Sequence, residues 1–346
     1  MAKQPLISII MPTLNSAHQI QRSLDSVRKQ KFDQSLVEIL VIDGGSTDDT
    51  RKIATDNGCL VLDNPLVQPE CAKHVGILNA KGDIAVFLDS DEVFENNQAL
   101  IKRASFFKEQ PDVHFLLMGG YRKPAGTTVI NDYVNNFSDP FSFFMYGTSA
   151  DSRYYLSSLS RRYEKKVDKP NYAVFSFGPN DVLPLVDACA GNAADLVYLR
   201  QHFSKEMKNV NVVPQLFSLL VQDSHQTGML KDDVTVHYTG GTWRKFLNKI
   251  KWRVVVNTHY VNMAGVGFSN RESAQPLWFR LKKYLFIVYG MTLVLPVLVS
   301  IYYFIRRGLP VALVMGPLCF YTAWFIIYHQ ILKALKMKPK LAAYGS

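Results

Sequence analysis

Four short apolar runs constrain this chain more than anything else in it. They are LISIIM (6–11), VEILVI (37–42), CLVLD (59–63) and IAVFLD (84–89). Each reads as a strand, and helical periodicity fills the intervals. Residues 16–30 place Ile20, Leu24 and Val27 on one face. Residues 48–57 and 70–80 follow the same pattern, ended by Gly58 and by Lys81-Gly82-Asp83. Near-continuous apolar strands alternating with helices specify an α/β fold, a mostly parallel sheet with helices on both faces. Ligands of such sheets bind beyond the carboxyl ends of the strands.

Three of those ends carry polar residues. After the first strand come Pro12, Thr13 and Asn15; after the second, DGGSTDDT (43–50); after the fourth, Asp89, Ser90, Asp91 and Glu92. Gly44 and Gly45 allow a tight turn with backbone close to a ligand. Ser46 or Thr47 is expected to cap the next helix, with Asp48 and Asp49 in its first turn. Asp43 precedes the glycines and is not needed for capping. Carboxylates crowded at the end of an apolar strand repel one another and resist desolvation, so they call for a positive charge. A hard divalent cation such as Mg²⁺ or Mn²⁺, shared with substrate phosphates, is the expected partner of Asp89 and Asp91. It would neutralise a diphosphate leaving group.

The segments SIIMPTLNS, EILVIDGGSTDDT, ECAKHVGILNAKGDIAVFLDSDE and, more weakly, ACAGNAADLVYL resemble family 2 glycosyltransferases of the GT-A fold, a Rossmann-like sheet. The resemblance is specific over residues 6–95 and thin over 110–235. It implies inverting transfer of a sugar from a nucleoside diphosphate, with the nucleotide sugar held by Pro12, Thr13, Asn15, Asp43, Gly44, Ser46, Lys73, Asp89 and Ser90. It makes Asp89 and Asp91 catalytic and puts them on the metal. His237, in VTVHY (234–238), is a further candidate for the metal or a phosphate. Gly191 and Asn192 match a segment beside the acceptor pocket. His74 stands where the family often has Asn. Members using a hydroxyl acceptor usually carry an acidic pair opening a helix, and NVNVVPQLFSLL (209–220) has none. Either the base comes from elsewhere or the acceptor is a phosphate with no proton to remove.

Charge divides the chain. From Val236 onward there are 15 Lys and Arg and one acid, Glu272; the preceding residues hold 24 bases and 28 acids. The net charge of +10 is therefore not that of a uniformly basic nucleic-acid binder. Residues 284–305 and 309–332 form uncharged runs of 22 and 24 residues, each long enough to cross a bilayer as a helix, where about 20 suffice. RRGLP between them makes a tight turn, so a transmembrane hairpin is expected. Arg280, Lys282, Lys283, Lys333, Lys336, Lys338 and Lys340 outnumber Arg306 and Arg307. That bias places the N-terminal domain in the cytoplasm. The opening MAKQPLISIIMPT has an apolar part too short for a signal peptide. Cys59, Cys71, Cys189 and Cys319 are scattered without metal-ligand spacing, as suits a reducing compartment.

Upstream of the first run, residues 242–257 put Trp243, Phe246, Leu247, Ile250 and Val254 on one helical face and bases on the rest. Such a helix suits a membrane interface with anionic lipids, and Arg244, Lys245, Lys249 and Arg253 are candidates for holding a lipid-linked acceptor. Residues 137–180, rich in Phe, Tyr and Ser, form either a lid over the acceptor or a surface helix with aromatic packing. The expected organisation is a catalytic domain over 1–238 (nucleotide-sugar side 1–110, acceptor side 111–238) and an amphipathic segment over 239–283. Two spans, 284–305 and 309–332, and a cytoplasmic tail from 333 complete it. Two other readings compete: a processive polysaccharide synthase, disfavoured because no Gln-x-x-Arg-Trp motif is present, and a non-catalytic membrane adaptor built on an inactive transferase.

Overall fold

The computed structural model describes residues 5–126, 128–239, 241–265 and 271–342. They fall into two compact units. The first comprises residues 1–122, 151–179 and 186–238, and the second residues 123–150, 180–185 and 239–346.

In the first unit the expected alternation is realised: β1 (Ile7–Thr13), α1 (Ile20–Arg28), β2 (Val37–Asp43), α2 (Thr50–Asp56), β3 (Leu60–Asp63), α3 (Pro69–Asn79) and β4 (Ile84–Phe87). β1 pairs in parallel with β2 and β4, and β2 with β3. Side chains alternate along β1. Ile7, Ile9 and Met11 join one core with Ile20, Leu24 and Val27 of α1. Ile10 and Ile42 face α3 so closely that a Cβ on Gly76 would lie 2.4 Å from the Ile10 side chain. Both faces of the sheet are therefore covered, the condition that lets its strands be apolar throughout.

Beyond β4 the chain continues through β5 (Glu92–Phe94), α4 (Ala99–Glu109), β6 (Phe115–Leu117), β7 (Gly120–Arg122), α5 (Val129–Phe137), α6 (Pro140–Tyr146) and α7 (Tyr155–Ser160). β8 (Glu164–Asp168), β9 (Tyr172–Ser176), β10 (Asn192–Asp195), α8 (Leu196–His202), α9 (Leu216–Val221), β11 (Gln226–Leu230) and β12 (Val234–His237) follow. The nine-stranded sheet runs β3-β2-β1-β4-β10-β6-β11-β9-β8. It is mixed rather than mostly parallel: β10 is antiparallel to β4 and β6, and β9 to β11 and β8. The connection between β8 and β9 is too short for the crossover that a parallel pair requires, so that pair has to be a hairpin. A second sheet, β5-β12-β7, holds β12 antiparallel to β5.

The second unit contains α5, α6, α10 (Trp243–His259) and the C-terminal helices. Residues 123–150, expected within the catalytic domain, belong here. Phe137 and Phe143 pack edge-on against Tyr303, and Phe141 and Phe144 against Phe286. This part of the aromatic-rich stretch is thus core packing. α10 buries Phe246, Ile250 and Val254, as its periodicity predicts.

Pro310–Ala334 is one helical stretch, long and apolar enough to cross a membrane. The continuous helix expected over 284–305 is not observed. Leu285–Met291 and Val294–Arg307 are separate helices bent by 78°. The break falls at Leu293, whose φ is 57°. Pro296 explains it. Inside a longer helix its missing N–H would leave the Thr292 carbonyl unpaired and its ring would clash with the preceding turn. In the first turn of a new helix it costs nothing.

Candidate functional site

Parallel pairing brings the carboxyl ends of β1, β2 and β4 together, and their loops are stitched to one another. Gly44 N donates to Thr13 O at 2.9 Å. Asn15, in the left-handed region with φ 49°, donates its N–H to Ser46 Oγ at 2.8 Å and accepts from Thr47 N at 2.9 Å. Ser90 Oγ donates to Ser16 Oγ at 2.9 Å, and the Ser90 carbonyl accepts from Ser23 Oγ. Pro12 and Thr13 end β1 within the core, and Thr13 Oγ1 is a buried atom with no hydrogen-bond partner.

Asp43 does more local work than its position suggests. Its side chain is fully buried, and it accepts from Gly45 N, Ser46 N and Ser46 Oγ. It also pairs with Arg51 at 3.1 Å, which reaches Asp63 at 2.7 Å. The expected cap from Ser46 or Thr47 is not made. Ser46 is turned to Asp43, and Asp48 Oδ1 accepts from Thr50 N at the start of α2.

The end of β4 is organised differently. Lys73, on α3 and 4% exposed, places Nζ 3.0 Å from Asp89 Oδ1. Burial works against the Lys73 ammonium, yet Asp89, with Cys189 and Glu70, holds its pKa above the ordinary value. Burial pushes Asp89 upward against the pull of Lys73, and Asp91 adds to the push. Asp91, whose side chain is 29% exposed, has Oδ2 3.7 Å from His237 Nε2. β12 delivers that imidazole by pairing His237 with Glu92 of β5. Burial would lower His237, but Asp91, Glu92 and Asp89 raise it overall. Tyr121 stacks on its ring at 4.6 Å.

Glu92 is a brace. Its carboxylate accepts from Asp89 N at 2.8 Å, Ala190 N at 2.7 Å and Tyr121 Oη at 2.6 Å. Burial first, then Asp89 and Asp91, push its pKa up to about 7.

Gly191 and Asn192 lie beside this loop, with Gly191 N donating to Phe87 O at 2.7 Å. Their polar groups face inward. Asn192 accepts from Met118 N and donates to Asp187 O. The Gly191 carbonyl accepts from Arg103 Nε and Nη2 at 2.8 and 2.6 Å. Gly191 has φ 81°, and a Cβ there would lie 2.7 Å from Phe94. Arg103 also closes a buried pair with Asp233 at 2.6 Å. His74, the departure from the family pattern, bonds to the Met207 carbonyl at 2.7 Å.

Sequence reasoning missed Arg51, Tyr121, Arg103 and Asn64. Asn64 follows β3 directly, and its Oδ1 is buried without a partner. Searching the third strand end as the other three were searched would have found it. The basic residues of α10 lie in the second unit. Arg244, Lys245 and Lys249 are exposed there, and Arg253 pairs with Asp139 at 2.8 Å.

Asp89, Asp91 and His237 offer two carboxylates and an imidazole, with Asp91 partly open to solvent. Among the described residues no group of three or more His, Cys, Asp or Glu is arranged to enclose an ion. That donor set fits Mg²⁺ or Mn²⁺ held by one or two carboxylates and completed by phosphate oxygens. The surrounding carboxylates raise the pKa of His237, which favours the charged ring as a counter-charge to Asp91, whereas metal ligation requires the neutral ring.

The fold is GT-A-like α/β with acids at this strand end, and known proteins resemble it in sequence and in fold. Residues 8–161 match the model of Glycosyl transferase family 2. That match takes in the first four strands and the acids that follow β4. It is 36% identical over 93 residues to glycosyltransferase AglE of Haloferax volcanii, covering 25% of this chain and 31% of that protein. It is 30% identical over 133 residues to the Escherichia coli UDP-Glc:alpha-D-GlcNAc-diphosphoundecaprenol beta-1,3-glucosyltransferase WfgD, covering 37% and 51%. The matches thus span about half or less of these relatives. Its fold resembles that of mannosyltransferase PcManGT from Pyrobaculum calidifontis in complex with GDP-Man and Mn²⁺. The TM-score is 0.50 at 13% identity, over 97% of this chain and 88% of that one.

Proposed function

We propose that this chain is a membrane-attached, metal-dependent, inverting hexosyltransferase. It would move a sugar from a nucleoside diphosphate to a lipid-linked acceptor, a polyprenyl phosphate or polyprenyl-linked glycan, at the cytoplasmic face. The observation that carries the reading is the end of β4. Asp89 and Asp91, within the stretch that matches the family 2 model, are crowded there against buried Lys73 and against His237.

In this reading Asp91 and Asp89 hold Mg²⁺ or Mn²⁺, which when bound neutralises the diphosphate of the donor. Lys73 keeps Asp89 ionised and in place. Glu92 ties the Asp89–Asp91 loop to Ala190 and Tyr121, so the acids stay put as the donor arrives. Thr13 Oγ1 and Asn64 Oδ1, buried and unpaired, are polar atoms for the nucleoside, and Asp43 orients their loop. Displacement is single-step, and a phosphate acceptor needs no base.

Support for the lipid side comes from the second unit and from WfgD, named for a diphosphoundecaprenol acceptor. Val288, Val294, Ile305 and Trp324 are more than half exposed, which is costly in water and natural in lipid. The Pro310–Ala334 helix and the bent pair before it form the membrane anchor, with Arg244, Lys245 and Lys249 toward anionic head groups. The test is sugar transfer to polyprenyl phosphate in liposomes, across UDP and GDP sugars, with and without Mn²⁺. Full activity of Asp91→Asn would refute the reading.

A further inference from the structure

A cavity of about 410 Å³ lies wholly within the second unit. It is bounded by α10, by the Met315–Ala334 helix and by residues 340–342. Its apolar walls are Trp252, Val255, Phe325 and Leu341, and its polar ones include Lys251 and Lys340. The C-terminal wall is held in place: Tyr260 Oη donates to the Pro339 carbonyl at 2.7 Å, and Lys338 Nζ sits 4.1 Å above the Tyr260 ring. His329, on the cavity wall, shares a hydrogen bond of 3.1 Å with His259.

Lys251 and Lys340, both exposed to solvent, put two cations at the edge of an apolar chamber, and the acidic side chains described in this unit are engaged elsewhere. Glu272, the sole acid from Val236 onward, is taken by Lys283 at 2.7 Å. Asp132 is taken by Lys123 and Asp139 by Arg253. Among the described residues neither Lys251 nor Lys340 has an acidic partner. Burial, followed by Lys333 and Lys338, holds His259 below the ordinary histidine range, as expected where positive charge accumulates.

We infer that this cavity is a binding site for the phosphate end of an anionic lipid, with Lys251 and Lys340 on the phosphate and Trp252, Phe325 and Leu341 around the first carbons of its chain. Compact anions alone would leave the apolar walls wet, and a zwitterionic head would bring a second cation between the two lysines. The volume suits a head group with a few carbons rather than a whole lipid. The inference rests on the membrane reading above only for the source of the lipid. It concerns a site apart from the strand-end crevice.

The test uses the full chain in phosphatidylcholine nanodiscs, titrated calorimetrically with dioctanoyl phosphatidic acid, dioctanoyl phosphatidylcholine or inorganic phosphate. Saturable binding of phosphatidic acid is expected, at least tenfold weaker in the Lys251→Gln/Lys340→Gln double variant. The Lys251→Arg/Lys340→Arg variant should recover it, and an unchanged melting temperature serves as the fold control. Unaltered binding by the Gln variant, or equal binding of phosphatidylcholine, overturns the inference. Inorganic phosphate binding as tightly as phosphatidic acid overturns its lipid part. Asp91→Asn separates this site from the proposed transfer: it should stop transfer and leave phosphatidic acid binding intact. Lipid binding without transfer to any donor–acceptor pair would sink the proposed function alone.

Discussion

The carboxyl ends of β2 and β4 both present acid, and they treat it in opposite ways. Asp43 at the end of β2 is neutralised by its own turn, through two N–H groups, one hydroxyl and Arg51. At the end of β4 three carboxylates share one buried ammonium and one imidazole, and burial with mutual repulsion raises the pKa values of Asp89 and Glu92. An acid satisfied locally is part of the scaffold. Acids held together against repulsion are relieved by protonation or by a further cation, which is the arrangement the proposed metal role calls for.

The largest expected effect breaks the comparison on the β4 side. Asp91→Asn should lower kcat/KM for transfer by at least about 10²-fold, the scale of losing one preorganised electrostatic contact. Its melting temperature should stay level or rise, because one like charge is gone. Asp43→Asn, which keeps an acceptor for the turn, should cost far less activity; equal losses would erase the distinction between the two ends.

Lys73→Met comes next. It leaves Asp89 without its counter-ion and should cost about 3 kcal/mol in denaturant unfolding, the lower end for breaking a buried pair. Adding Asp89→Asn should recover part of that loss. A double variant no more stable than the single one would show that the pair does not couple.

Asp43→Ala tests the scaffold side. It strands two N–H groups and the Ser46 hydroxyl and leaves Arg51 with Asp63 alone, and about 2 kcal/mol of stability should go with them. Thermal melting checks this, and a loss below the detection limit would mean that water replaces the carboxylate freely.

The smallest effect is in pH. Glu92 titrates near 7 in the folded protein, above its ordinary 4.5. It therefore contributes stability that is complete below pH 4.5 and is lost as pH rises through 7. His237, also raised, has the same sign. Metal-free protein should melt at falling temperature across that window. Glu92→Gln, which keeps an acceptor for the two N–H groups, should flatten the slope.

Much of the candidate site was legible because its signals are local. Strand ends, the two glycines and the acids at 89–92 each sit within a few residues of a periodic element, while Lys73 entered only through the family resemblance. The brace was not legible, because Glu92, Tyr121, Ala190 and His237 are far apart in the chain and meet only through the small sheet. The mixed half of the large sheet was missed for a related reason: short strands such as Phe115–Leu117 and Asn192–Asp195 carry too few residues to declare direction. In the apolar tail, composition announced length and hydrophobicity, yet the bend at Leu293 depended on where Pro296 fell within the helix.

By itself, then, the sequence determined which segments are strands and helices in residues 6–95, where negative charge gathers, and which part of the chain is basic and apolar. Those are properties of neighbours along a chain, set by side-chain period and backbone preference. Tertiary structure alone decided that Asp43 is consumed by its loop, that His237 stands beside Asp91, and that residues 123–150 pack with the C-terminal helices. Burial and pairing between distant residues are cooperative outcomes of packing, and no local pattern encodes them.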